Sequence, residues 1–294
     1  SSALSLLTTM QSAGAQAAAL SALEHDSNPD VRRLAADAVG LNAAKSDGDV
    51  HAVLLRALND AAPEVRRSAA LAMSRVAADS APDNLVNTWA FDDDRDPYLR
   101  DGLVRAIEGL GKPGAERLIA LGESGSRKEL DKAVQAFTMM RMRPAVDALP
   151  RMLENPHLTT PQRAALVRSY ENYLLDPPVS LAPMVQYLID HPAEDPSVKL
   201  AGAEALATGG TAPGDKAVGW ALGLLDEKDG ELRAAGANAL AALDLAPEEA
   251  RRVGQALADG ALPPEARPAV LRVLGRHADQ DAECARLLKQ VGKP

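Results

Sequence analysis

Large rings are scarce in this sequence: aromatic residues make up 3% of 294 positions, while the hydrophobic share is 46%. A core built almost wholly of alanine and aliphatic side chains suits helices in close contact and argues against a sandwich or barrel. Cysteine occurs once, as Cys284, which excludes an intrachain disulfide framework and fits either the cytoplasm or the periplasm, so localisation stays open. No apolar run reaches the length that spans a bilayer, and no signal peptide is visible. Positive charge is in deficit, with a formal net charge of −9. That balance disfavours nucleic acid and anionic membrane as partners, since both need a basic footprint. No segment alternates with period two, so no strand is expected.

What the chain does have is a repeat. Asp96-Pro97-Tyr98-Leu99-Arg100 has relatives at Asn28–Arg32, Asp195–Lys199 and Asp229–Arg233. Counted at the residue before the base, the series runs Val31, Val65, Leu99, Leu130, Gln162, Val198, Leu232, Ala266, in steps of 31 to 36 residues. A period in this range marks stacked helical units that bury their apolar faces only against one another. The expected helix pairs cover 10–40, 49–78, 82–110, 113–142, 144–174, 181–207, 213–243 and 247–277, with a last helix over 281–291. All belong to one array over 1–294. Ser2–Thr9 and Asp281–Val291 each read as half a unit, and the chain opens Ser-Ser rather than Met, so a piece of a longer protein is expected, with neighbouring domains as partners.

Each second helix carries a stripe at offsets of zero, four and eight from the anchor, for example Val65, Ala69 and Met73, which faces the core. Asp96, Asp195 and Asp229 stand at N-cap positions, and Pro29, Pro63, Pro97, Pro161, Pro196 and Pro264 stand in first turns. Ser126–Glu129 reads as a capping box, and Gly40, Gly111, Gly209 and Gly275 as stop signals. The fold class expected is all-α.

Units reading D-P-x-V-R-x-x-A-x-x-A-L resemble HEAT repeats, in the short form associated with phycobilisome lyases. Val31–Val39, Val65–Met73, Val198–Leu206 and Leu232–Leu240 match best; Asp131 in place of a base and Gln162 in place of an apolar anchor depart from the pattern. The resemblance implies a right-handed α-α superhelix with second helices on its concave surface. It also implies a structural ladder in which Arg32, Arg66, Arg100, Arg163, Lys199, Arg233 and Arg267 pair with acids of neighbouring turns, among them Asp96, Asp195 and Asp229. Similar arrays occur in large bacterial multidomain proteins, some with propeller and haem domains.

Offsets two and six place Arg33, Asp37, Arg67, Asp101, Arg105, Lys132, Arg168, Glu204, Asn238 and Arg272 on the concave surface. Its bases, Arg33, Arg67, Arg105, Lys132, Arg168 and Arg272, form the expected binding surface for a peptide or protein segment of acidic character. Other candidates reduce to structure. Asp92, Asp94 and Asp96 alternate like a calcium loop but lack its glycine and closing glutamate. Gly209–Lys216 follows a helix and carries Asp215 where a phosphate loop has its lysine. The five histidines show no ligand spacing, Cys284 reads as a small hydrophobe, and Trp89, Phe91 and Trp220 as fillers between units. With no cofactor, no metal and no catalytic constellation indicated, the expectation is a non-catalytic interaction scaffold. The alternatives are a bilin lyase-like enzyme, for which Lys132, Arg168 and Tyr170 are the one nominable cluster, or an accessory domain of a haem and propeller dehydrogenase.

Overall fold

The computed structural model describes residues 13–42, 48–76, 80–92, 95–141, 143–173, 180–208 and 214–292. Among them all regular structure is helical, with seventeen α-helices, two 3-10 turns and no strand. Ser2–Thr9 and the loop at Gly209 lie outside the described residues. The chain divides into two compact units, residues 1–152 and 153–294.

In the first unit, helices pair as α1 (Ala13–His25) with α2 (Pro29–Asn42), α3 (Gly48–Ala57) with α4 (Pro63–Val76), α5 (Ala81–Phe91) with α6 (Pro97–Gly109), and α7 (Lys112–Gly122) with α8 (Arg127–Met139); α9 (Arg143–Leu153) closes it. The turns are short because local chemistry ends one helix and starts the next. Asp96 accepts from the amides of Tyr98 and Leu99 at 3.0 and 3.1 Å, and Pro97 follows where no N–H is needed. Gly111 sits at φ 67°, a conformation that favours glycine, between α6 and α7.

Second helices stack closely, α2 on α4 and α4 on α6. Gly40 and Gly102 explain the closeness. A Cβ at Gly40 would lie 2.7 Å from Ala72 Cα, and one at Gly102 would lie 3.1 Å from Arg67 Cα. Gly40 is therefore an interior contact of α2, not a stop signal, and Gly275 likewise lies inside a helix. Of the stripe positions at offsets zero, four and eight across both units, all are buried except the half-buried Val31, Thr138 and Gln162.

The fourth pair departs from this pattern. Helix α8 packs against α5 and α7, and its offset-two position turns inward. Ser126 accepts from the Glu129 amide, but Glu129 takes the Ser124 hydroxyl, so only half of the expected capping box forms.

The second unit pairs α11 (Ala182–Asp190) with α12 (Pro196–Ala207), α13 (Gly214–Leu224) with α14 (Gly230–Ala242), and α15 (Pro247–Ala258) with α16 (Arg267–His277), after α10 (Thr160–Arg168). Short 3-10 turns extend α10 to Tyr173 and precede α16. Gln162 loses the apolar anchor for a reason: its Oε1 accepts from the Thr159 amide at 2.9 Å, closing the capping box of α10. Here too second helices stack, α10 on α12 on α14. The last helix, α17 (Ala282–Val291), is not partnerless; it packs on α15 and α16 through Cys284, Leu287 and Val291. Burial pushes the Cys284 thiol up to about 11, as expected of a packing residue.

Candidate functional site

The helix-pair seams are tied by ion pairs with a common geometry. Arg32 grips Asp60 through Nε and Nη2, both at 2.8 Å, and donates Nη1 to the Asp26 and Ser27 carbonyls. Arg66 repeats this with Asp96 and the carbonyls of Asp60 and Ala61. In the second unit Lys199 reaches Glu227 at 2.7 Å and Arg163 lies 3.6 Å from Glu194. Each rung thus joins the second helix of one pair to the turn of the next.

The acids of those rungs are not all the expected ones. Asp195 and Asp229 are helix caps, accepting from Ser197 and Glu231 amides at 2.9 and 2.7 Å, while Glu194 and Glu227 carry the charge pairing. The physical reason is reach: an N-cap carboxylate already faces its own helix amides, leaving the preceding turn residue to meet the base. Of the three expected acids, Asp96 alone does both. Arg267 stands at the start of α16. Arg100 has no carboxylate partner among the described residues.

Arg233 makes half a rung. Its Nη1 donates to the Glu227 and Lys228 carbonyls, but its Nε is buried without an acceptor. The turn that should answer it reads Ala261-Leu262-Pro263, with no acid. Position 261 is as far beyond Arg233 as Asp60 is beyond Arg32. Ala261→Asp is therefore expected to raise stability by about 1.5–3 kcal/mol, the worth of a hydrogen bond to a charged group. Urea melts of the two chains check it, and a midpoint that does not rise would mean the seam cannot form the rung.

The rungs also set an acid limit. The Arg32 guanidinium holds the Asp60 carboxyl below the ordinary carboxylate range against the opposing effect of burial. At Asp96 burial acts upward, but Arg66 and the Leu99 and Tyr98 amides outweigh it, so this pKa is also lowered. An acid whose folded pKa lies below its unfolded one lends stability that is complete above the unfolded value, roughly pH 4, and lost as pH falls through the folded value. Denaturant midpoints from pH 6 to 2 should therefore show Asp60→Asn destabilised at pH 6 and converging on the parent chain below roughly pH 4. A gap that stays constant to pH 2 contradicts the linkage.

The expected base-rich surface looks different once built. Arg33 pairs with Asp37 at 3.2 Å, Arg67 with Asp101 at 3.1 Å, and Arg105 with Glu108 at 3.3 Å. Arg168 pairs with Glu204 at 3.3 Å, and Arg272 stands on the rim of a groove in the second unit. Arg33, Arg67, Arg105 and Arg168 are thus each matched by an acid, from the same helix or from the next pair, so these four form no field of free positive charge.

Lys132 must be removed from the surface altogether. It is 5% exposed, its ammonium lies 4.8 Å over the Trp89 ring and 4.0 Å from Asp92, and its carbonyl accepts from Trp89 Nε1 at 2.8 Å. The shifted packing of α8 turns this position onto α5. Trp89 is a filler as expected, and so is half-buried Trp220 near Gly202; Phe91, at 78% exposure, is not. Tyr170 is fully buried in the second unit, so Lys132, Arg168 and Tyr170 do not form an open tetrapyrrole site.

Two grooves run over second helices. One, in the first unit, has a volume of about 750 Å³ and is lined by residues of α2, α4 and α6, including Glu64, Leu71, Tyr98 and Asp101. The other, in the second unit, has about 420 Å³, an alanine floor on α14 and Glu204, Glu231, Asn238 and Arg272 around it. Glu64 and Tyr98 escaped the sequence reading because they sit one residue before their anchors, off the offsets counted as surface.

Among the described residues no three histidine, cysteine, aspartate or glutamate side chains converge as a metal site, and no helix is long and apolar enough to cross a membrane. His51 is buried between α3 and α5, its Nε2 2.7 Å from Asn84 Nδ2, and burial lowers its pKa. His191 stacks on Tyr187 at 4.4 Å, and the Tyr187 hydroxyl donates to Glu194 at 2.6 Å.

Among solved structures, an engineered protein shares 18% identity at a TM-score of 0.46, over 93% of this chain and 81% of that one. Human deoxyhypusine hydroxylase in complex with glycerol shares 14% at 0.33, over 94% and 96%. The complex of CpcE and CpcF of phycocyanin lyase from Nostoc shares 18% at 0.29, over 82% and 93%. Likenesses this distant say nothing of function. No curated protein matches the sequence. The family model of HEAT repeats matches residues 17–108, the stretch that holds the three pairs stacked through α2, α4 and α6. Over residues 17–108 the chain matches HEAT repeats.

Proposed function

We propose that the chain is a non-catalytic scaffold that holds a peptide or protein segment against its second helices. The observation that carries this reading is the pair of open grooves on those helices, one in each unit. Repeat stacks of this kind offer long, rigid surfaces whose side chains come from several helices at once. A rigid groove loses little entropy on binding, so a segment laid along it keeps most of its contact energy. The grooves mix apolar floor and matched charge, a composition in keeping with reversible protein recognition.

The test is to fill the grooves. Leu71→Trp in the first unit and Ala234→Trp in the second place an indole at half-buried lining positions. Capture of partners by the immobilised chain, quantified against each variant, should fall at least about tenfold for the groove that docks the partner. Unchanged recovery by both variants, with parental far-UV circular dichroism, would refute the reading.

A further inference from the structure

We infer that the groove of the first unit receives a basic side chain, a lysine or arginine carried by the docked segment; this rests on the groove being the docking surface proposed above. The groove is lined by two arginines, Arg33 and Arg67, and three carboxylates, Asp37, Glu64 and Asp101. Arg33 is taken by Asp37 at 3.2 Å and Arg67 by Asp101 at 3.1 Å. Asp101 is also 3.7 Å from Arg105. The carboxylate left over is Glu64, which makes no ion pair or hydrogen bond among the described residues and feels only the more distant charge of Arg32, itself gripped by Asp60. It is half-buried on the first turn of α4.

Tyr98 lines the same groove and is 62% exposed, a large ring left open in a chain with few of them. An uncommitted carboxylate and an open phenol ring in one groove are complementary to a cation with an aliphatic stem: the ring face attracts the charge, the carboxylate pairs with it, and Leu71 meets the methylenes. An acidic segment finds the opposite. Both arginines that could meet it are already paired, and taking either one exposes a carboxylate of the groove. Charge thus selects for a basic segment here and against an acidic one.

Three fluorescein-labelled decapeptides of alternating Leu-Lys, Leu-Gln and Leu-Glu, titrated with the full chain at 0.15 M salt and read by anisotropy, decide the matter. The lysine peptide should bind tightest. Glu64→Gln should weaken it about tenfold and Tyr98→Ala about threefold. Glu265→Gln, which removes the same charge at an exposed position of the second unit, should leave affinity unchanged. Preference for the glutamate peptide, or equal losses from Glu64→Gln and Glu265→Gln, overturns the inference while leaving the docking groove standing. Binding of none of the three overturns both.

Discussion

Trp89→Ala lowers the stability of the first unit by about 3–5 kcal/mol, the cost of emptying a large fully buried aromatic site. Trp89 is 0% exposed, and its Nε1 donates to the Lys132 carbonyl at 2.8 Å. It is the contact through which α5 holds α8, at the place where second-helix stacking gives way to a different packing. Removing it therefore opens a cavity and also takes from a helix carbonyl its second hydrogen bond. The experiment has a built-in control, because the sequence contains two tryptophans and Trp220 belongs to the other unit. In urea, far-UV circular dichroism of the variant should lose the first unit's share of helix early. Trp220 emission, with no other tryptophan left, should report the transition of the second unit alone. A shift worth less than about 1 kcal/mol would mean the site collapses around the loss or that the ring contributes little.

Lys132→Ala is the second large effect, again about 3–5 kcal/mol, because it breaks a buried ion pair from one side and empties the space over the Trp89 ring. The side chains of Lys132 and Asp92 are each 6% exposed, 4.0 Å apart, and the ammonium rests over the Trp89 ring. Breaking such a pair from one side costs far more than the pair itself is worth. Replacing both members with apolar groups of similar size, as Lys132→Met with Asp92→Leu, should recover most of the loss. Thermal unfolding of the single and double variants separates the two ideas. If Lys132→Ala and the double variant melt together, well below the parent, the loss comes from packing against Trp89 and not from the broken ion pair.

Much of the helix pairing could be read from residue order. Asn28-Pro29, Asp96-Pro97 and Asp195-Pro196 place helix starts within a residue or so, since capping and proline chemistry are local. The buried stripe followed from helical period alone. Gly40 shows the limit: a glycine near the expected end of a helix looks like a stop, and only the arrival of Ala72 shows that it is a contact.

The candidate site was legible as a set of charges but not as a surface. Offsets two and six named Arg33, Arg67 and Arg168, whose side chains are partly exposed, yet the acids that neutralise two of them come from neighbouring pairs 34 to 36 residues away. The same holds for Asp60, Glu194 and Glu227, whose spacing of 28 to 31 residues after their bases was a usable signal. Lys132 had no such signal, because the turn of α8 toward α5 breaks the register from which its exposure was inferred.

The sequence by itself determined the helices, their pairing and the apolar rungs, because capping, proline placement and period act within a few residues. Only the tertiary structure decided which charges remain uncommitted. An arginine's partner is whatever carboxylate the next pair brings within 3 or 4 Å, and that distance depends on how closely two backbones approach. Glu64 stays open and Arg67 closed for that reason alone.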